Sequence, residues 1–407
     1  MPQPAGLLHE RSSQPEGFWY TAKRRFLGPP LVNESLGEQR LSNPLALGVL
    51  SPDGISSSAY GPEEILIALL PVAGMAAFGL ILPMTLGIII VMTFVVLSYR
   101  EVVMVLVLLS YREIVMVYIR PGGSYVVARE NFGPKVAQVC AVALLIDYVV
   151  TVAVQISAGT AAVASAIPAV GPYVNEITIG VILIIAYGNL KGIREAGKAF
   201  ALPTYLFSIT VLFMIAFGLV REIFFSLPVQ DIHSLHGTYP IGKGTATLIG
   251  FAAILTMARS FANGGSSLTG IEAVSNAVSA FKPPEGLNAR RVLVIEGAIL
   301  GTLIAGISWL AHVTHATPYA LGVPTVISQE AKLVFGYSIF GHIMFALVQA
   351  ATALILYTGG NTSFNGFPFL ASFVAEDQFL PRALSRRGHR LTFSNGNIRA
   401  KNSGTFQ

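Results

Sequence analysis

The sequence predicts an all-α polytopic membrane protein, an inverted repeat whose first and sixth helices are discontinuous. Three observations lead there. Of 407 residues, 53% are hydrophobic and only 12% charged, about half the charged share of a soluble domain. Apolar blocks recur at lengths that cross a bilayer, roughly 17 to 25 residues. Two of those blocks are interrupted by the same polar pattern.

Taken in order, the blocks give eight expected helices, at roughly 44–70 (interrupted), 75–98, 135–167, 175–190, 196–220, 246–280 (interrupted), 291–313 and 338–358. Lysine and arginine fix their direction. With the N-terminus cytoplasmic, 22 of the 26 fall inside, Arg221, Lys243 and Lys332 fall outside, and Arg259 lies within a span; such a bias is the positive-inside signature. The expected setting is therefore the cell inner (cytoplasmic) membrane, with the bilayer as solvent. The sequence pI near 9.3 follows from this topology, so nucleic-acid binding is not called for. The single cysteine, Cys140, sits in an apolar block and reads as a packed thiol.

The chain then divides into a cytoplasmic tail over 1–42, a first five-helix repeat over 43–220, a partial second repeat over 246–358, and a cytoplasmic segment with a polar tail over 359–407. The tail carries Lys23, Arg24 and Arg25 beside "FWY", either an interfacial anchor or a solvated stretch. Within the first repeat, "VVLSYREVVMV" (95–105) recurs as "VLLSYREIVMV" (107–117), nine of eleven positions identical. Only eight apolar residues separate the charged parts, too few to span, so this duplication over 95–117 lengthens the second helix without inverting the later ones. A sequence-assembly error is the alternative.

The interruptions carry the chemistry. "SSAYGPE" (57–63) aligns with "SSLTGIE" (266–272): Ser57, Ser58, Gly61 and Glu63 match Ser266, Ser267, Gly270 and Glu272 at an offset of 209. Five helices separate the two starts, so the repeats run through the membrane in opposite directions. Interrupted spans at matching places in two halves point to a transporter binding site. An unwound helix frees carbonyls and amides that hydrocarbon cannot satisfy, so the break must line a polar cavity. Gly54, Gly61, Gly264, Gly265 and Gly270 are expected to permit the backbone angles of the breaks. Asp53, at a cost of about 2.5–3.5 kcal/mol in a helix centre, needs a ligand, a proton or a partner. In the third helix Asp147, Thr151 and Gln155 are spaced by four and share one face, with Tyr148 beside them. Arg259 is open to three roles: pairing with Asp147, snorkelling, or capping the broken sixth helix.

Other motifs argue against other classes. "HVTHA" offers His312 and His315 but no third metal ligand beside them, "GKGTAT" (242–247) is too short for a phosphate loop, and no repeated filter sequence suggests a pore. The chain is not expected to be an enzyme, and no cofactor is called for.

On "SPDGISSSAYGPEEIL", "RPGGSYVVARENFG", "LLIDYVVTVAVQISAGT", "SLTGIEAVSNAV" and "NTSFNGFPFLASFVAEDQFLPRALSRRGHRLTFSNG", the chain resembles the amino acid–polyamine–cation superfamily, and within it the KimA-type, KUP-related potassium importers. The resemblance covers about 40 to 395. It implies a LeuT-like fold of five helices plus five, with the first helix of each repeat unwound at the substrate. It also implies that residues matching Asp53, Tyr60, Asp147, Tyr148, Thr151, Thr269 and Glu272 handle the ion and the proton. Potassium would sit at Asp53, Asp147, Thr151 and Thr269, and Glu272 would carry the proton. Gln155 departs from the hydroxyl common in the family. "PGGSY" (121–125) resembles the turn before the third helix. The family continues past "FSNG" into further spans and a soluble regulatory domain, whereas this chain ends in "NIRAKNSGTFQ", so about eight helices and an incomplete second repeat are expected.

Proton-coupled potassium import is thus the first expectation, with potassium and protons as the transported species. An amino-acid permease on the same scaffold is the second, and a transporter-derived membrane sensor without flux belongs to another class. Homo-oligomerisation is left open.

Overall fold

Proline and glycine punctuate the chain into helices that are short where the sequence is polar and long where it is apolar. A computed structural model describes residues 40–112, 123–191, 197–242 and 251–385. The N-terminal basic cluster, the second half of the repeated "SYRE" stretch from Glu113 on, "GKGTAT" beyond Gly242 and the terminal "NIRAKNSGTFQ" lie outside the described residues.

The first segment is α1 (Asn43–Leu50), α2 (Pro52–Ser56) and α3 (Gly61–Ala73), followed by α4 (Ala77–Arg112). Then come α5 (Gly123–Phe132), α6 (Pro134–Ala166), α7 (Val174–Lys191) and α8 (Gly197–Phe225). The sixth segment is α9 (Phe251–Gly265) and α10 (Glu272–Asn276), and α11 (Glu285–Thr314), α12 (Val326–Phe335) and α13 (Ile339–Glu376) complete the described chain. Among the described residues, six stretches are long and apolar enough to cross a membrane, and the protein is an all-α, multi-pass membrane protein.

One of the six, Pro52–Arg100, is a hairpin. Gly74 turns it at φ +55, and Ile65 of α3 and Ile88 of α4 come together on Gly264 of α9. With this hairpin and the broken sixth segment, each of the eight expected helices has a counterpart. Helices α5 and α12 are additional. Helix α4 runs unbroken to Arg112, so the first "SYRE" copy and the start of the second lie on one helix.

The last helix is longer than its sequence suggests. "YTGGNTSFNGFP" (357–368) has the glycine, asparagine and proline of a helix end, yet α13 continues through Pro368 to Glu376. Its glycines are used for close packing on α6: Gly159 receives the Tyr357 ring, Gly360 meets Ile156 at 3.0 Å and Gly366 meets the Tyr148 ring at 2.7 Å, measured from where a Cβ would stand. Small residues let membrane helices approach in this way.

Burial is arranged for a membrane solvent. On α6, Val139, Val142, Ile146, Val149 and Val150 face outward while Tyr148, Thr151 and Gln155 are buried. In the interior, Phe207, Val211 and Met214 of α8 pack on Leu303, Ile307 and Leu310 of α11. Met92 and Val96 of α4 pack on Leu293 and Leu300 from another side. The start of the first segment is tied to the end of the sixth, Leu41 N–H donating to Ala280 O at 2.7 Å and Lys282 N–H to Leu41 O at 3.0 Å.

Candidate functional site

The two interruptions are built alike. After Ser51, α2 lasts five residues, a 3-10 turn covers Ser57–Ala59, and α3 begins at Gly61. After α9 a 3-10 turn covers Ser266–Leu268 and α10 begins at Glu272. The Ser57 hydroxyl donates to Gly54 O at 2.5 Å and Ser58 to Ile55 O at 2.8 Å. In the other segment Ser266 donates to Asn263 O and Ser267 to Gly264 O, both at 2.6 Å. Each bond is matched by its counterpart 209 residues on. Tyr60 N–H to Ser57 O at 3.3 Å is matched in the same way by Thr269 N–H to Ser266 O at 3.4 Å. The serines thus add hydrogen bonds to backbone carbonyls at each break, where a low-dielectric interior offers them no water.

The breaks meet each other. Ser57 also donates to Ser267 O at 2.6 Å. Gly270 lies at φ +88, and a Cβ there would stand 2.5 Å from Gly54 N and 2.7 Å from Asp53 Cγ. Glycine is required at Gly270 by both angle and space. The other four glycines do not serve the expected role of supplying unusual angles. Gly54, Gly61 and Gly264 instead admit Glu296, Ser267 and Ile65. Gly265 has open space and a helical φ of −61, so nothing there requires glycine.

Asp53 sits at this crossing, 3% exposed. Gln155 Nε2 donates to Asp53 Oδ1 and, at 3.4 Å, to Asp53 O. Thr362 of α13 donates to Asp53 Oδ2 at 3.3 Å. Glu272 and Asp147 are the charged groups that interact with Asp53 electrostatically. Glu272, 6% exposed, begins α10 and faces the backbone N–H groups of Gly270 and of its own residue. Tyr60 faces the Thr269 hydroxyl, and Thr151 is buried on the α6 face that carries Gln155.

Two expectations are corrected. Tyr148, though next to Asp147, turns its ring onto Gly366 and into an apolar cluster with Tyr125, Leu370 and Val374; α6 sends successive side chains about 100° apart, so the two cannot share a face. Arg259 is exposed and lines a cavity of about 440 Å³ with Ile67, Pro71, Tyr239 and Asn263. It forms no ion pair with Asp147 among the described residues.

Sequence reasoning missed three contributors. Glu296 of α11 is wholly buried, its Oε1 2.7 Å from where a Gly54 Cβ would lie, and the Ser51 side chain is the polar group that faces its carboxylate. A lone glutamate inside "VLVIEGAIL" was a signal for it. Gly359 and Thr362 lie in the stretch read as cytoplasmic. Gly359 makes room for Gln155 and Ser56, a role visible only once α6 and α13 are packed.

Asp53, Glu272 and Glu296 therefore converge at the crossing with Asp147 beside them, and no lysine, arginine or histidine pairs with any of them among the described residues. Gln155 Oε1, on the amide that holds Asp53, is a buried oxygen without a partner among the described residues. Surplus oxygens and acidic side chains suit a hard cation and repel an anion.

Comparison with known proteins agrees with this setting. A family model described as "Amino acid permease" matches residues 67–398. The chain belongs to the amino acid permease family. Among the curated relatives of this chain is the potassium transporter KimA of Bacillus subtilis (strain 168), 39% identical over 380 residues, which cover 93% of this chain and 58% of the relative. The chain thus spans under two thirds of that relative's length.

Proposed function

We propose that this chain is the membrane-embedded part of a proton-coupled potassium importer of the KimA type, related to the KUP importers. The observation that carries the reading is the convergence of buried Asp53, Glu272 and Glu296 at the crossing of two broken segments without a basic partner. Three carboxylates in a low dielectric cannot all stay ionised without positive charge among them. A dehydrated monovalent cation supplies it, and the name of the KimA relative supports potassium. In this reading Asp53, Asp147, Thr151 and Thr269 hold the ion, Tyr60 and Gln155 complete its surroundings, and Glu272 carries the proton. The scaffold is a LeuT-like inverted repeat. The N-terminus is cytoplasmic and the membrane is the cell inner membrane, whose inside-negative potential adds about 2.3 kcal/mol per charge per 100 mV to import.

The test is rubidium uptake by a bacterial host that lacks its own potassium uptake. Asp53→Asn is expected to abolish uptake and growth at low potassium, and undiminished uptake by that variant would remove the reading. The family model's description favours a second reading, an amino-acid permease. Asp53 opposes it, because a carboxylate at the break repels a substrate carboxylate. Excess amino acids that suppress rubidium uptake would favour the permease, and rubidium binding without flux would favour a sensor.

A further inference from the structure

A second pair of buried carboxylates lies on the far side of the break from Asp53. Glu63, in the first turn of α3, accepts from the Val326 N–H at the start of α12 at 3.2 Å. Glu330 stands one turn further along α12, is wholly buried, interacts electrostatically with Glu63, and has neither oxygen hydrogen-bonded among the described residues.

Among the described residues, the surrounding elements offer Glu330 no counter-charge. Lys332 on α12 itself lies over the Phe345 ring, 4.8 Å from its centroid. Arg221 of α8 is committed to Leu333 O and Val334 O at 3.0 and 2.6 Å. Its neighbour Glu222 accepts from Leu227 N–H. His312 of α11 is held by Phe78 O. On α3, Glu64 adds only further negative charge. From α13 comes Gln349, whose Oε1 accepts from Ser328 at 2.7 Å while its Nε2 stays unpaired; α6 contributes the neutral Ser165.

The two acids are not equivalent. Glu63 is offset by the Val326 N–H and by the α12 dipole. Glu330 has no such relief: burial, with the Glu63 charge adding to it, holds its carboxyl well above the usual carboxylate range. Its ionised form therefore needs a positive charge beside it. Buried acid oxygens, those of Glu330 without a hydrogen-bond partner among the described residues, are the donors that a hard cation takes.

We propose that Glu330 and Glu63 form a second site for a monovalent cation, apart from the Asp53 hollow and on the route of the transported ion. Its place on the route rests on the transport reading; the site itself does not. Equilibrium binding of radioactive rubidium to the detergent-purified chain tests it. Asp53→Asn is expected to keep a saturable component, and adding Glu330→Gln is expected to weaken that component at least about tenfold. Glu63→Gln on the Asp53→Asn background keeps an acceptor for Val326 and is expected to weaken it in the same direction; it decides the matter alone if Glu330→Gln is not monodisperse. A wild-type chain that binds no rubidium sinks the transport reading and this site together. Wild-type binding with none left in Asp53→Asn, or a residual component indifferent to both glutamate changes, overturns the second site alone.

Discussion

The Ser57 hydroxyl bridges Gly54 O and Ser267 O, at 2.5 and 2.6 Å, and so joins two breaks that lie 210 residues apart in the chain. One hydroxyl serves the local turn and the contact between repeats. With the matched bonds of Ser58, Ser266 and Ser267, it makes the crossing a single hydrogen-bonded unit rather than two loops that happen to lie close. Removing it takes the hydroxyl donor from buried Ser267 O, while Gly54 O keeps the Ser57 N–H, and Ser57→Ala is expected to lower stability by about 1–2 kcal/mol. A thermal melt of the detergent-purified protein measures this, and an unchanged melting temperature would contradict it.

Gly270 and Gly265 should respond oppositely to the same change. At Gly270 an alanine meets both the left-handed φ and the Asp53–Gly54 backbone, and Gly270→Ala is expected to cost at least about 2–4 kcal/mol. Gly265→Ala meets open space in a helical conformation and should stay within about 0.5 kcal/mol of wild type. Yields of monodisperse protein and melting curves of the two variants make the comparison, and equal losses would show the crossing is misplaced.

The contribution of α13 is testable at Gly359. A side chain there collides with Gln155 Oε1 and should displace Gln155 from Asp53. Gly359→Ala is expected to reduce rubidium affinity about tenfold or more, whereas Thr362→Val, which removes a 3.3 Å contact to Asp53 and a 2.6 Å bond within α13 to Gly359 O, should reduce it by a few-fold at most. Rubidium titrations of both variants decide it; the opposite ranking would count against Gln155 as the anchor of Asp53.

At the other end of α13, Asp377 accepts from the Tyr125 hydroxyl at 2.6 Å and pairs with Arg129 at 2.6 Å, tying α5 to the end of the helix. Tyr125→Phe is expected to cost about 1–2 kcal/mol. Burial and the Asp377 carboxylate hold the Tyr125 proton above the usual phenol range. A raised folded-state pKa means the contribution is fully present below the unfolded value of about 10 and fades only as pH rises through the folded one. The stability difference between wild type and Tyr125→Phe should therefore be constant from about pH 7 to pH 9; a difference that shrinks across that range would sink the assignment.

Much of this architecture was legible in the residues because the bilayer imposes it. A chain this apolar must satisfy its backbone within helices, so block lengths alone located the spans, and the matched serines and glycines marked where two of them break. The same reasoning singled out Asp53, since an acid at membrane depth is too costly to be incidental, while Glu272 was marked by its match to Glu63 and by the family resemblance. Local composition misled where helix propensity was overruled by packing: the glycines of "YTGGNTSFNG" signal a helix end by themselves, yet α13 uses them to press against α6.

By itself the sequence determined the membrane setting, the two interruptions and their correspondence at a fixed offset, because these follow from hydropathy and hydrogen-bond accounting along one chain. Only the tertiary structure decided that Gln155 and Thr362 hold Asp53, that Glu296 joins the site, that Tyr148 packs on Gly366 in an apolar cluster and that Glu330 interacts with Glu63. Those relationships depend on which helix faces touch, and side chains hundreds of residues apart acquire their chemistry only when packing strips away water and leaves them one another.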